Sequence, residues 1–280
     1  MLKRLGYGLS GGFKAPIGAS SAYLDSVVAS VCCDLDATQT DSYPGSGQTW
    51  ANLIASPADG AAQTDYDFYL GFTATTDGDE PTFNGTAGDT TAYWSFDGGD
   101  RFGLKSGVNT AFLNNLHKTT GGSDFWVAYA WNHVDTTWQN RFFFSTYGYS
   151  TTNGLIVGEY AQETVGLTQY TSGAANKTTS FISGAPQGDH IAVASHSHST
   201  NETTIWLDTA SGRVMSHTFT TNTTDPTGAL TISGGTNGGV PLSSEDKLYS
   251  MAFGNEYLDD TKAAAIIAHL ETRHGRDYTP

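Results

Sequence analysis

The sequence predicts an all-β sandwich or barrel that ends in a single helix. Charged residues make up only 15% of the 280, against about a quarter in ordinary domains. The polar character comes instead from Thr and Ser, which suit half-buried strands, and from Asn and Gly, which suit tight turns. Short strand-like runs recur between Gly, Asn and Asp turns along most of the chain, the spacing expected of a sandwich or barrel. One segment near the end changes to helical period. A chain of 280 residues with 38% hydrophobic content fills one large core or two small ones. No low-complexity linker or internal repeat divides it, so one domain is the simplest count.

The elements follow in order. Residues 1–24 are rich in Gly and Ser, lack a β period and read as an arm. Lys3, Arg4 and Lys14 fall in this stretch, which contains no acid, and Tyr7 and Phe13 give it apolar anchors. The body, 25–280, opens with SVVASVCCDLDA (26–37), a strand. SYPGSGQTWANL (42–53) follows, a turn cluster running straight into Trp50. It is either a ligand loop with an aromatic platform or a sandwich corner that plugs its own core. Large aromatics usually contribute core area, which favours the corner. Further strands are expected at 66–72, 91–98, 124–134, 141–147, 154–160, 190–198, 203–209, 213–220 and 247–257. VNTAFLNNLHK (108–118) breaks the rhythm as a short helix or an irregular loop. In DDTKAAAIIAHLETRHG (259–275), Ala263, Ile266, Ile267 and Leu270 recur at helical spacing. Asp259 or Asp260 caps the start, Arg273 and His274 sit in the last turn, and Gly275 stops it, which gives a helix over 259–274.

Charge and cysteine content exclude several classes. A formal net charge of −15 argues against a nucleic-acid surface. The two cysteines, Cys32 and Cys33, are adjacent, and neighbours rarely form an unstrained disulfide, so no disulfide framework is read. MLKRLGYGLSGGFKAP has no apolar core and is not read as a secretory signal. No run reaches the length of a membrane span.

The order of motifs carries a resemblance. His190-Ile191-Ala192-Val193 turning into Trp206-Leu207-Asp208-Thr209, then LTISGGTNGG (230–239), resembles the central strands of laminin-G-like, concanavalin-A-like jelly rolls. KLYSMAFGNEYLDDTKAAAIIAHLETRHG is similar to the strand and helix that close that fold, and LDATQTDSYPGSGQTWANL resembles an opening common in bacteriophage virion proteins that carry it. Asn52 stands where that opening has Asp, and Thr209 where the hairpin has Gly. The resemblance covers about 26–275. It implies an all-β, concanavalin-A-like jelly-roll sandwich of two antiparallel sheets with a C-terminal α-helix. It also implies a non-enzymatic virion structural protein, homo-oligomeric and exposed on capsid or tail. Its partners would be other virion proteins reached through the arm residues Lys3, Arg4, Tyr7, Phe13 and Lys14, with a host-surface glycan open as a second. A glycan-binding lectin-like module is the alternative, and a glycoside-active enzyme of the same fold the third.

Candidate chemistry was weighed on this frame. Glycoside hydrolysis needs two carboxylates across a cleft. Glu159 and Glu163 in GEYAQET lack the intervening Asp of the fold's glucanases, so no catalytic residue is assigned. Trp131, Trp138, Tyr147 and Tyr149 lie close in sequence and form the candidate glycan platform. Strand alternation puts Trp126 and Trp131 on opposite faces, one toward the core. His190, His196 and His198 share parity opposite Ile191 and Val193 and are expected on an outer face, as a packed or solvated row or a metal site. Asp34 and Asp36 alone provide too few oxygens for calcium. No metal and no cofactor are assigned.

Overall fold

The computed structural model describes residues 23–134, 141–147, 153–159, 164–171, 177–183, 187–216, 218–234, 242 and 246–278. The strands are β1 (Val31–Asp36), β2 (Thr49–Trp50), β3 (Phe68–Leu70), β4 (Thr82–Asn84), β5 (Tyr93–Ser95), β6 (Phe102–Leu104), β7 (Phe125–His133) and β8 (Arg141–Ser145). There follow β9 (Gly154–Glu159), β10 (Thr164–Tyr170), β11 (Lys177–Ser183), β12 (Gly188–Ser197), β13 (Glu202–Leu207), β14 (Arg213–Ser216), β15 (Thr231–Ile232) and β16 (Lys247–Gly254). Among the described residues, two α-helices, α1 (Ala111–Asn115) and α2 (Asp260–His274), and two short 3-10 helices, Leu24–Ser26 and Gln63–Tyr66, complete the elements.

The strands form two sheets. One runs β14-β13-β12-β7-β16-β5-β4, with β1 also on β16; the other runs β11-β10-β9-β8-β15-β6-β3-β2. Every pairing between strands is antiparallel. The chain is a concanavalin-A-like jelly-roll sandwich with a C-terminal helix. β1 and β5 share one side of β16: Leu35 and Asp36 pair with Met251 and Ser250, while Trp94 and Ser95 pair with Leu248 and Lys247.

The main core lies between the sheets. Trp50 is fully buried there, 4.7 Å from Phe102 and 5.6 Å from Trp94 by ring centroid. The Pro44–Gly47 turn is therefore a corner that plugs its own core. Asn52 fixes the exit from that corner. Its Oδ1 accepts from the backbone N–H of Asp34 and Ile54, and its Nδ2 donates to the carbonyl of Cys32. An amide supplies both donor and acceptor, which an ionised Asp cannot do.

A second core lies on the other face of the first sheet, under α2. Ala263, Ile266, Ile267 and Leu270 pack there with Trp126, Ala128, Ala130, Ile191 and Val193. Trp126 and Trp131 do face opposite ways along β7, yet both are fully buried, because the helix covers the face expected to be open. Asp259 caps α2 by accepting from the Lys262 N–H, and Gly275 ends it at φ 60°, a left-handed conformation that suits glycine. Segment 108–118 contains α1, capped by Thr110.

The last turn of α2 is buried, and its charges are paired. Arg273 forms a two-pronged bond to Asp34 at 2.9 Å per prong and reaches Asp36 at 3.1 Å. His274 Nε2 lies 3.1 Å from Asp36 and its Nδ1 lies 2.9 Å from the Tyr278 hydroxyl. Asp34 and Asp36 thus lock the helix to β1. Burial alone would raise the Asp36 carboxyl, but His274 and then Arg273 outweigh it and hold it well below the usual carboxylate range. Among the described residues, no helix is long and apolar enough to cross a membrane.

Candidate functional site

Strands β12, β7 and β16 are neighbours, and β7 runs antiparallel to both. The start of β7 therefore meets the ends of β12 and β16 at one end of the sandwich, where His196 pairs with Phe125 and Gly254 with Trp126. Asp124 precedes β7, His198 follows β12, and Asn255 follows β16. The Ala58 N–H donates to the Val31 carbonyl and brings Asp59 to the same end. Helix α1 and the loop after it form the remaining wall. Together these segments line an open, shallow cleft of about 750 Å³.

Most of the cleft walls are fixed from behind. Phe112 is buried against Phe253 and backs the cleft from the main core. Asp59 accepts from the Tyr66 hydroxyl at 2.5 Å and from the Ala61 N–H at 3.3 Å. One oxygen of Asp124 accepts from the His198 N–H at 2.7 Å. Asn115 accepts from the Lys118 ammonium at 3.0 Å, and that ammonium is also paired with Asp225. His198 Nε2 lies 3.2 Å from the Leu116 carbonyl; a carbonyl only accepts, so this nitrogen carries the proton. Burial lowers the His198 pKa below its ordinary value, which favours the neutral ring. Gly122 lets the loop cross that ring, since a Cβ there would meet the Lys118 carbonyl at 2.2 Å and His198 at 2.4 Å. Carboxylates, amides and the hydroxyls of Ser123 and Ser199 thus converge on one open, largely polar cleft.

Of the four residues expected to bind glycan, the two described ones, Trp131 and Tyr147, are buried. Trp131 is fully buried against Tyr129, Phe143 and His190. Tyr147 is buried too and stacks on Tyr170 at 4.1 Å. Each ring has its own internal partner, so neither offers a face to a sugar. Trp138 and Tyr149 lie outside the described residues, as do the arm residues Lys3, Arg4, Tyr7, Phe13 and Lys14.

The histidines share one face as expected, but it is the opposite face. Ile191 and Val193 point under α2, while His190 and His196 point between the sheets and are buried. His190 Nδ1 lies 2.5 Å from Asp208, and His196 stacks on Phe219 at 4.1 Å. Only His198, at the strand end, reaches the cleft. Glu159 is fully buried between Arg141 at 3.1 Å and His133 at 2.9 Å, and Glu163 lies outside the described residues. The cleft residues Asp59, Phe112, Asn115, Asp124 and Asn255 had no motif to mark them. The available signal was positional: polar residues directly flanking the longest strands, facing segment 108–118, the first of the two that break the β rhythm.

No protein-family profile and no curated protein matches the sequence. Solved structures share the fold. Trypanosoma rangeli sialidase in complex with sialic acid superposes with a TM-score of 0.53 at 13% identity, over 91% of this chain and 34% of that one. The binding domain of botulinum neurotoxin serotype D/C VPI 5993 gives 0.50 at 9% identity, over 86% of this chain and 52% of that one. The CBM40 of Ruminococcus gnavus IT-sialidase bound to α2,3-sialyllactose gives 0.43 at 11% identity, over 51% and 82%. At these identities the likeness is one of fold.

Proposed function

We propose that this chain is a non-catalytic glycan-binding module whose ligand sits in the cleft at the open end of β12, β7 and β16. The cleft itself carries this reading. It is concave, its main side chains are held by the fold, and its carboxylates and amides are groups that exchange paired hydrogen bonds with sugar hydroxyls. Phe112, buried on Phe253, backs the cleft from the main core. The sialidase of similar fold is solved in complex with sialic acid, which supports a saccharide as the ligand class. Glu159, the carboxylate weighed for hydrolysis, is taken up by internal partners, which supports binding without turnover.

The test is a glycan array followed by titration calorimetry on the best hit, with wild type, Asn255→Ala and Asn115→Ala. The expected result is saccharide binding that each variant weakens about tenfold, the effect of losing roughly one net hydrogen bond to ligand. Unchanged affinity in both variants rules out this cleft.

A second reading places the module on a virion. It is favoured by the likeness of segment 35–53 to the opening of phage jelly rolls. In this reading the arm, 1–24, attaches the sandwich to capsid or tail, and the cleft faces outward to a host glycan. Labelled antibody on native particles tests the location; an unlabelled particle removes it.

A further inference from the structure

We infer that the cleft selects neutral saccharides and rejects sialylated ones, although sialic acid is what the similar sialidase holds. The inference rests on the glycan-binding reading and concerns its ligand class. Two carboxylates, Asp59 and Asp124, line the cavity, and among the described residues no Lys or Arg does. The ammonium of Lys118, next to the cleft on the chain segment after α1, is bonded to Asn115 and paired with Asp225 at 2.5 Å. His198 is the other titratable group on the walls, and its lowered pKa keeps it from supplying a positive charge. The whole chain adds a formal charge of −15, whose field repels an approaching anion. A sialic carboxylate entering here meets like charge and finds no cation, an arrangement that discriminates strongly. A neutral sugar instead presents hydroxyls, which donate to Asp59 and Asp124 and accept from Asn115, Asn255, Ser123 and Ser199.

The experiment uses the full chain on a printed array of neutral oligosaccharides, each beside its sialylated counterpart, lactose and α2,3-sialyllactose among them. At low ionic strength we expect neutral glycans to bind at least about tenfold better than their sialylated partners. The gap should narrow as salt screens the carboxylates. The near-isosteric double variant Asp59→Asn/Asp124→Asn should close most of it. Ser123→Lys adds a cation without touching either carboxylate or its partners, and should raise sialylated binding relative to neutral by about tenfold. Sialylated glycans bound as well as or better than neutral ones would overturn the inference and leave the cleft reading intact. A gap unmoved in both variants would overturn the charge mechanism. No binding to any printed glycan would overturn the glycan-binding reading on which the inference rests.

Discussion

At Arg273 a single side chain holds two buried carboxylates. Replacing it with Ala would leave Asp34 without its buried ion-pair partner and Asp36 with His274 alone, and such lesions cost about 3–5 kcal/mol. Urea titration should show this loss, and a stability within about 1 kcal/mol of wild type would mean the lock contributes little. The same cluster sets an acid limit. The Asp36 carboxyl is depressed in the folded state. Its contribution is therefore fully present above the unfolded carboxylate value near about 3.9, and is lost as pH falls below that toward the folded value. Asp100 behaves in the opposite sense. Burial, and then the neighbouring Asp97, push its carboxyl up to about 7. The folded state then holds an extra proton between roughly pH 4 and 7, so this contribution to stability declines as pH rises through that window. Asp100→Asn, which can still accept from the Asp97 N–H, should flatten that decline in a pH series of melting temperatures; a slope equal to wild type would refute the assignment.

Helix α2 was the most legible element of the sequence, and its burial explains what the sequence concealed. Its apolar spacing, N-cap and terminal glycine all mark it, and its docking face is the one the spacing gives. Ile266→Asp would drive a charge into the contact with Trp126, Ala128 and Ile191 and should cost about 3 kcal/mol or more. A melting temperature unmoved by it would mean the helix does not hold the sheet. Strand parity along β7 and β12 was equally legible, but parity gives two faces and does not say which one is covered. With α2 on one face, His190 and His196 fall between the sheets, and Trp126 is buried as deeply as Trp131. The ion pairs of Arg273 with Asp34 and Asp36 span more than two hundred residues of chain, a distance at which local patterning carries no information. The cleft was hidden for the same reason: residues from 58 to 255 meet only once the strands are in register.

At the scale of the whole molecule, both sheets and α2 are built from residues 31–274. The first described contacts belong to Tyr23, whose hydroxyl donates to Asp41, and to Leu24, whose N–H donates to Asp34. Leu24 is fully buried under α2, so from this point inward the chain belongs to the body. The cleft draws on residues 58–255 alone. In the proposed reading, in which the cleft recognises and the basic arm attaches, residues 1–20 should be separable in function. Deleting 1–20 is expected to leave the melting temperature within about 2 °C, the shift a fraction of a kcal/mol produces at this size. Glycan affinity should stay the same, while incorporation into particles should fall to background. Calorimetry of the truncated protein reads the first two outcomes, and its copy number in purified particles reads the third. Incorporation at normal copy number would move attachment from the arm to the sandwich. A large fall in melting temperature would instead make the arm part of the fold, since only a segment packed on the body can stabilise it to that extent.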